Sequence, residues 1–263
     1  MKKNTLIYIL LFLNLLILSC TSRSENLNKE IFLSAYIKGI NLAEAKGRLI
    51  FNNEKFLIEI NAYTVGIFSL ISNWQQNLST EGFYKKSYLK SYYYKSEDKR
   101  KNKKGHMYIN FKREIPEINS AQPDPRDDTR RKKIASSELL NTFDPVIGIL
   151  NMGLNGNCKN VSAIFDGKRK YLIKSKFVSK EIIKSNNFFE KSFNSIKCRF
   201  DIEKIAGYTE KELKKYPSNG NIWFKKLEGF KLYFPAKIQI NSSWGSFISL
   251  IKEREIYSES NNL

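Results

Sequence analysis

The chain contains one histidine, His106, and three cysteines in 263 residues. One imidazole rules out a multi-histidine metal centre. A Ser-His-Asp triad would have to use His106, which sits beside a lysine-rich stretch. There is no Cys-x-x-Cys, Walker loop, Rossmann glycine fingerprint or G-x-S-x-G elbow. Asp124, Asp127 and Asp128 lack the alternation and terminal glutamate of an EF-hand. A glycosidase needs only two carboxylates, and no local signature nominates a pair. No catalytic residue, metal or cofactor is therefore assigned, and the expectation is a protein that is not an enzyme. Acidic residues are also scarce: 26 stand against 45 Lys and Arg, for a formal charge of +19.

Long apolar runs are missing except at the start. Lys2 and Lys3 precede an apolar run from Leu6 to Leu18, broken only by Asn14. The run is shorter than the 18 or so residues of a spanning helix and fits the h-region of a secretory signal. It ends Ile17-Leu18-Ser19-Cys20, which resembles a bacterial lipobox, although Leu18 is bulkier than the usual spacer. The expected organisation is a signal peptide over 1–19, a lipidated Cys20 with a tether to residue 30, one domain over 31–255 and a flexible tail over 256–263. The alternatives are an ordinary cleaved signal and an uncleaved anchor. Acyl chains on Cys20 would hold the protein stably at a membrane. Thr21 after the cysteine, in place of aspartate, favours the outer membrane.

Loss of Lys2 and Lys3 would lower the charge from +19 to +17. An exported protein meets lipid headgroups and wall polymers, so no nucleic-acid partner is expected. A solvated lysine-rich surface from an AT-rich genome explains the charge equally well. With Cys20 lipidated, Cys158 and Cys198 remain. In an oxidising compartment they suggest one disulfide, the alternative being two buried free thiols.

From Ile31 onward the chain reads as β. Alternating stretches are broken by turn signals such as Asn52-Asn53 and Asp166-Gly167. About a dozen strand candidates occur, without heptads, repeats or βαβ alternation. Lys95–Gly105 reads as a charged hairpin loop, and Ile115–Lys133, with three prolines, as the longest loop. Gly66–Ile71 is one helical turn or a bend. Ser136 or Ser137 would cap a helix through Leu140, and Asp144-Pro145 would start a second, ending at Gly153. Glu210–Lys215 is a short helix or loop. Strands are placed at Lys170–Val178 and Glu181–Phe189. The expected fold is mostly β: an antiparallel, strongly curved sheet or open barrel with one or two short helices packed on it.

The basic stretch Lys168, Arg169, Lys170, Lys174 and Lys176 has two readings. It is a strip for anionic headgroups, or the solvated face of a strand whose other side carries Tyr171, Ile173 and Phe177. The aromatics, Tyr92-Tyr93-Tyr94 included, either pack a core or line a cavity for acyl chains.

Several motifs carry a family resemblance in their order and spacing. They are Tyr36-Ile37-Lys38-Gly39-Ile40, Asp144-Pro145, Phe165-Asp166-Gly167-Lys168-Arg169-Lys170-Tyr171, Cys198 with Ile205-Ala206-Gly207-Tyr208, Ile222-Trp223-Phe224, Phe234-Pro235-Ala236-Lys237-Ile238 and Gly245-Ser246-Phe247. Tyr36 to Lys252 thereby resembles bacterial domain of unknown function 3108, in its alphaproteobacterial form. Ala43 departs from a usual glycine, and Leu172 from a usual polar residue. The resemblance implies an exported β-rich protein without assigned activity, and a cysteine matching Cys158 implies its pairing with Cys198. The first functional expectation is an envelope lipoprotein binding a hydrophobic or amphiphilic ligand, such as lipid, in the curved sheet. The alternative is an envelope assembly or structural factor that binds another protein or the cell wall.

Overall fold

The computed structural model describes residues 26–255 apart from 53, 86, 87, 159, 229, 231, 243 and 244. The expected signal, the Cys20 attachment point and the tail 256–263 lie outside the described residues.

Two antiparallel meanders build one sheet. The first runs β1 (Leu27–Ile37), β2 (Ile40–Asn52), β3 (Lys55–Thr64), β4 (Trp74–Lys85), β5 (Tyr88–Arg100), β6 (Lys103–Asn110) and β7 (Glu117–Gln122). The second runs β8 (Asn160–Phe165), β9 (Lys170–Ile183), β10 (Phe193–Ala206), β11 (Asn219–Lys226), β12 (Tyr233–Ser242) and β13 (Gly245–Glu255). They join where β1 pairs β13, from Lys29↔Glu255 to Ile37↔Phe247. The 13 strands are ordered β7-β6-β5-β4-β3-β2-β1-β13-β12-β11-β10-β9-β8, with β7 and β8 at the edges. Three helices accompany the sheet: α1 (Ile67–Ile71), α2 (Pro145–Gly153) and α3 (Glu210–Lys215).

The sheet's curvature follows from what α2 touches. It packs on β5, β12 and β8, which stand third, ninth and thirteenth in strand order. In a flat sheet at about 4.8 Å per strand, β5 and β8 would lie nearly 50 Å apart. A helix of nine residues is only about 14 Å long. The sheet therefore curls around α2, and α2 occupies its concave side. Ile147, Leu150 and Leu154 join a buried cluster with Ile31, Leu49, Phe51, Ile58, Phe230 and Ile251. Met152 joins a second cluster with Cys158, Ile164, Cys198, Ile222 and Phe224. Gly148 permits the approach to β8: a Cβ there would lie 1.8 Å from Ile164 Cδ1.

Asp144 fixes the start of α2. Its Oδ1 accepts from the amides of Val146 (2.8 Å) and Ile147 (3.1 Å), two of the orphan donors of a helix N-terminus. Its Oδ2 accepts from Thr80 Oγ1 on β4 (3.0 Å) and from Ser91 Oγ on β5. The carboxyl is fully buried. Burial raises its pKa, and the four hydrogen bonds oppose that rise. Further along α2, the Asn151 amide makes a two-way bond with the backbone of Leu89 on β5, 2.8 Å in each direction. A disulfide joins Cys158, after α2, to Cys198 in β10, with Cα atoms 5.4 Å apart.

Several expected boundaries change. β1 begins at Leu27, whose side chain is buried, so residues 27–30 are strand and not tether. Lys95–Gly105 is not a loop: β5 and β6 run through it and turn only at Lys101 and Asn102. Water reaches most of both faces there, so the ladder forms without apolar alternation. Ile115–Lys133 contains β7, which ends before a cis Gln122–Pro123 bond. β9 is one strand to Ile183, bulged near Val178 where its pairing with β10 shifts, and no strand follows over 184–189. Just before that bulge Phe177 is 48% exposed, although Ile173 on the same face is buried. The helix expected from Ser136 is a 3-10 turn, Ser136–Leu139.

Two stability outcomes are expected. Asp144→Ala removes the cap and leaves two buried hydroxyls without an acceptor, a loss of about 3 kcal/mol in urea denaturation. Asp144→Asn keeps an acceptor for the amides and should cost about 1 kcal/mol. Because the folded pKa is raised, wild type should lose ground against Asp144→Asn as pH rises above about 4. Replacing Cys158 and Cys198 by alanine opens a loop of 40 residues and should cost about 2–4 kcal/mol by the same measurement.

Candidate functional site

The two edge strands form no ladder with each other among the described residues. The seam between them is filled by residues 123–143, which cross from the end of β7 to the start of α2. At its lower end this segment pairs with β8: Phe143 N donates to Ala163 O (2.8 Å) and Phe165 N to Phe143 O (2.9 Å). Side chains complete the closure. Tyr94, Met107, Ile109 and Phe111 from the first meander pack with Leu139 and Phe165. The β8–β9 turn reaches across to β6, and a Cβ on Gly167 (φ 88°) would lie 2.3 Å from Met107 Sδ.

On the outer side of this packing lies a cleft of about 1080 Å³. Ile115, Ile118, Ile134, Leu139 and Phe165 supply apolar lining; Arg113, Arg126, Arg131, Lys132, Lys133 and Lys168 supply cations. Glu114, Glu117 and Asp128 supply the acids. The arginines are engaged. Arg113 pairs Glu117 at 2.8 Å, and Arg126 Nε donates to Asp124 at 2.8 Å. Arg131 forks onto Glu212 at 2.7 and 2.9 Å, donates to Gly207 O at 2.7 Å and meets Asp128 at 3.2 Å. Lys132, Lys133 and Lys168 form no ion pair among the described residues. The cleft thus joins an apolar floor to three uncommitted ammonium groups.

Two carboxylates, Asp128 in the cleft and Glu212 behind Arg131, sit low on the pH scale. The Arg130 hydrogen bond holds Asp128 at about 2. Burial pushes Glu212 up, but the Arg131 fork and the Thr209 amide outweigh it and hold the carboxyl at about 2. Neither is a proton donor near neutral pH. Asp144, whose carboxyl burial raises, is taken up by α2 and lies outside the cleft. No group of three or more metal-ligating side chains occurs among the described residues.

The basic stretch does not act as one strip. Arg169 turns inward: its Nε and Nη2 donate to Asp166 at 2.8 and 2.6 Å, and its guanidinium lies 4.4 Å from the Tyr216 ring centre and 5.8 Å from that of Tyr208. Burial works against this cation, yet Asp166 raises its pKa overall. Lys170 is half-buried at the start of β9. Lys174 pairs Glu203 at 2.6 Å, and Lys176 is exposed opposite Arg199 on β10. Of the five, Lys168 alone lines the cleft. Lys132 and Lys133 were overlooked because Ile115–Lys133 shows no periodicity. The run Arg130-Arg131-Lys132-Lys133 was the available signal. Tyr94 is buried in the seam packing.

The family profile for a protein of unknown function, DUF3108, matches residues 33–252. The chain belongs to the DUF3108 family. No curated protein matches it. Three solved structures are similar at low identity. A β-barrel-like protein of the DUF1849 domain from Brucella abortus is 9% identical, covers 88% of this chain and 98% of its own, and superposes with a TM-score of 0.48. A lipoprotein candidate from Parabacteroides distasonis is 10% identical over 86% and 95%, with a TM-score of 0.33. A DUF1329 protein from Desulfovibrio piger is 10% identical over 91% and 89%, with a TM-score of 0.25. No helix among the described residues of this DUF3108 chain is long and apolar enough to cross a membrane.

The low pKa of Glu212 has a measurable sign. Its share of stability is present above about pH 4.5 and is lost as pH falls towards 2. Glu212→Gln should be less stable than wild type at pH 7 by about 1 kcal/mol, because the pair is partly exposed. The gap should close by about pH 2 in denaturant titrations.

Proposed function

We propose that this DUF3108 protein is an exported, membrane-anchored binding protein of the cell envelope, without catalytic activity, that takes an anionic amphiphile in the seam cleft. The carrying observation is one surface that joins the apolar side chains of Ile118, Ile134, Leu139 and Phe165 to the unpaired Lys132, Lys133 and Lys168. A cleft of about 1080 Å³ is of ligand-binding size. An acyl chain would lie on the apolar floor and its acidic head against the lysines. The concave face itself is occupied by α2, so the ligand site moves from the bowl to its seam. Anchoring through Cys20 and an outer-membrane location rest on the N-terminal sequence pattern alone. Asp128 and Glu212, both held ionised by arginines, support binding over acid–base chemistry there.

The alternative, an assembly factor, is favoured by β7, an edge strand that forms no ladder beyond β6 among the described residues, although strand addition there would require the crossing segment 123–143 to yield.

Calorimetry separates these readings. The chain from Thr21 should bind dodecyl phosphate and not dodecyl maltoside. The triple variant Lys132→Gln, Lys133→Gln, Lys168→Gln should weaken that binding about tenfold or more. Equal binding of both detergents, or an unchanged triple variant, would remove the seam as the site. Native mass spectrometry with lipid extraction would then name or exclude a co-purifying lipid.

A further inference from the structure

At the end of β1 remote from Leu27, three connections of the first meander lie side by side. They are the β1–β2 hairpin at Lys38 and Gly39, the β3–β4 connection holding α1, and the β5–β6 hairpin at Lys101 and Asn102. Val65 N donates to Leu42 O and Lys101 N to Asn73 O, each at 3.0 Å, so the three are joined through their backbones. α1 buries none of its residues. Ile67, Leu70 and Ile71 are 62%, 84% and 64% exposed, and Ile40, at the start of the strand α1 packs on, is 54% exposed. A helix that contributes nothing to the core leaves three aliphatics uncovered among the described residues, and such a patch marks a contact surface.

The surrounding charge says what. Lys38, Lys99, Arg100, Lys101, Lys103 and Lys104 all stand at this end. Residues 38–43, 63–75 and 99–104 contain no Asp or Glu. None of the six cations makes an ion pair among the described residues. Aliphatic side chains on a short helix, beside six cations and with the nearest flanking acids in sequence, Glu44, Glu97 and Asp98, set back along the strands, match the boundary between acyl chains and anionic headgroups. We propose that this end of the sheet docks on an anionic lipid bilayer, with Ile67, Leu70, Ile71 and Ile40 entering the interface and the six cations meeting lipid phosphates. The placement also sets an orientation. β1 is eleven residues long, about 35 Å, and the chain leaves it for Cys20 at the opposite end. The six residues 21–26 reach about 20 Å when extended. With Cys20 lipidated as proposed above, this surface would meet a second bilayer, away from its own anchor.

The test uses the chain from Thr21, which keeps every described residue, in co-sedimentation with vesicles at low salt. Vesicles of phosphatidylglycerol and phosphatidylcholine in equal parts should bind about tenfold better than phosphatidylcholine alone. Leu70→Glu with Ile71→Glu should lower that binding about tenfold with an unchanged melting temperature, both sites being exposed. Lys99→Gln, Arg100→Gln and Lys101→Gln together should lower it and flatten its salt dependence. The seam variant Lys132→Gln, Lys133→Gln, Lys168→Gln should bind vesicles as wild type does. Binding to neither vesicle, equal binding to both, or full binding by the Leu70→Glu/Ile71→Glu variant would overturn the proposal. Loss in the seam variant alone would assign lipid contact to the seam and overturn it also.

Discussion

Asp144 takes four hydrogen bonds in a fully buried site, and their donors come from three directions: the first turn of α2, Thr80 on β4 and Ser91 on β5. The same helix covers β8 at the opposite edge of the sheet. One buried carboxylate thus ties the first meander to the helix that fills the second. Unpaired, a charge in that position would be costly, and so would the two amides and two hydroxyls it satisfies. The closed network makes the position of α2 definite, and with it the curvature of the sheet. Asn151 on Leu89 and the Cys158–Cys198 bridge hold the other end of the same insertion.

Filling the bowl decides where chemistry can happen. An open barrel with an empty interior would offer its concave face to a ligand. Here Ile147, Leu150 and Met152 fill that face, and the cleft of about 1080 Å³ lies at the seam, where edge strands β7 and β8 are bridged by side chains and a crossing segment. The arginines there are absorbed by Glu212, Asp128, Asp124 and Glu117. The lysines are left over. In the proposed reading, structure and recognition are divided by residue type. The planar guanidinium of Arg131 makes the fixed forked contact to Glu212, and the flexible ammonium groups of Lys132, Lys133 and Lys168 face the cleft.

The fold was largely legible because its signals are local. Asp144-Pro145 marks a helix start by cap chemistry, Asp166-Gly167 marks a hairpin, and one-sided burial leaves alternation in strands such as β3 and β10. Strand ends that project beyond the core carry no such signal, which is why Lys95–Gly105 reads as a loop yet continues two strands. β7 was hidden by the flanking Pro116 and Pro123 and by its polar sequence. The site was far less legible. It joins residues of β7, the crossing segment and the β8–β9 turn, and no local pattern states which segments meet at a seam. Parity sorts the lysines of the basic stretch but not Arg169, which precedes β9: its direction is set by Asp166, Tyr208 and Tyr216, the tyrosines more than thirty residues away.

The central claim is that α2 holds the bowl and leaves recognition to the seam. Hydrogen–deuterium exchange with and without dodecyl phosphate tests it most directly. The account predicts slow exchange over 146–153 in both states, with added protection confined to 113–119, 131–139 and 165–168. Ligand-induced opening of 146–153, or protection appearing on the inward strands of the bowl while the seam stays unchanged, would contradict it.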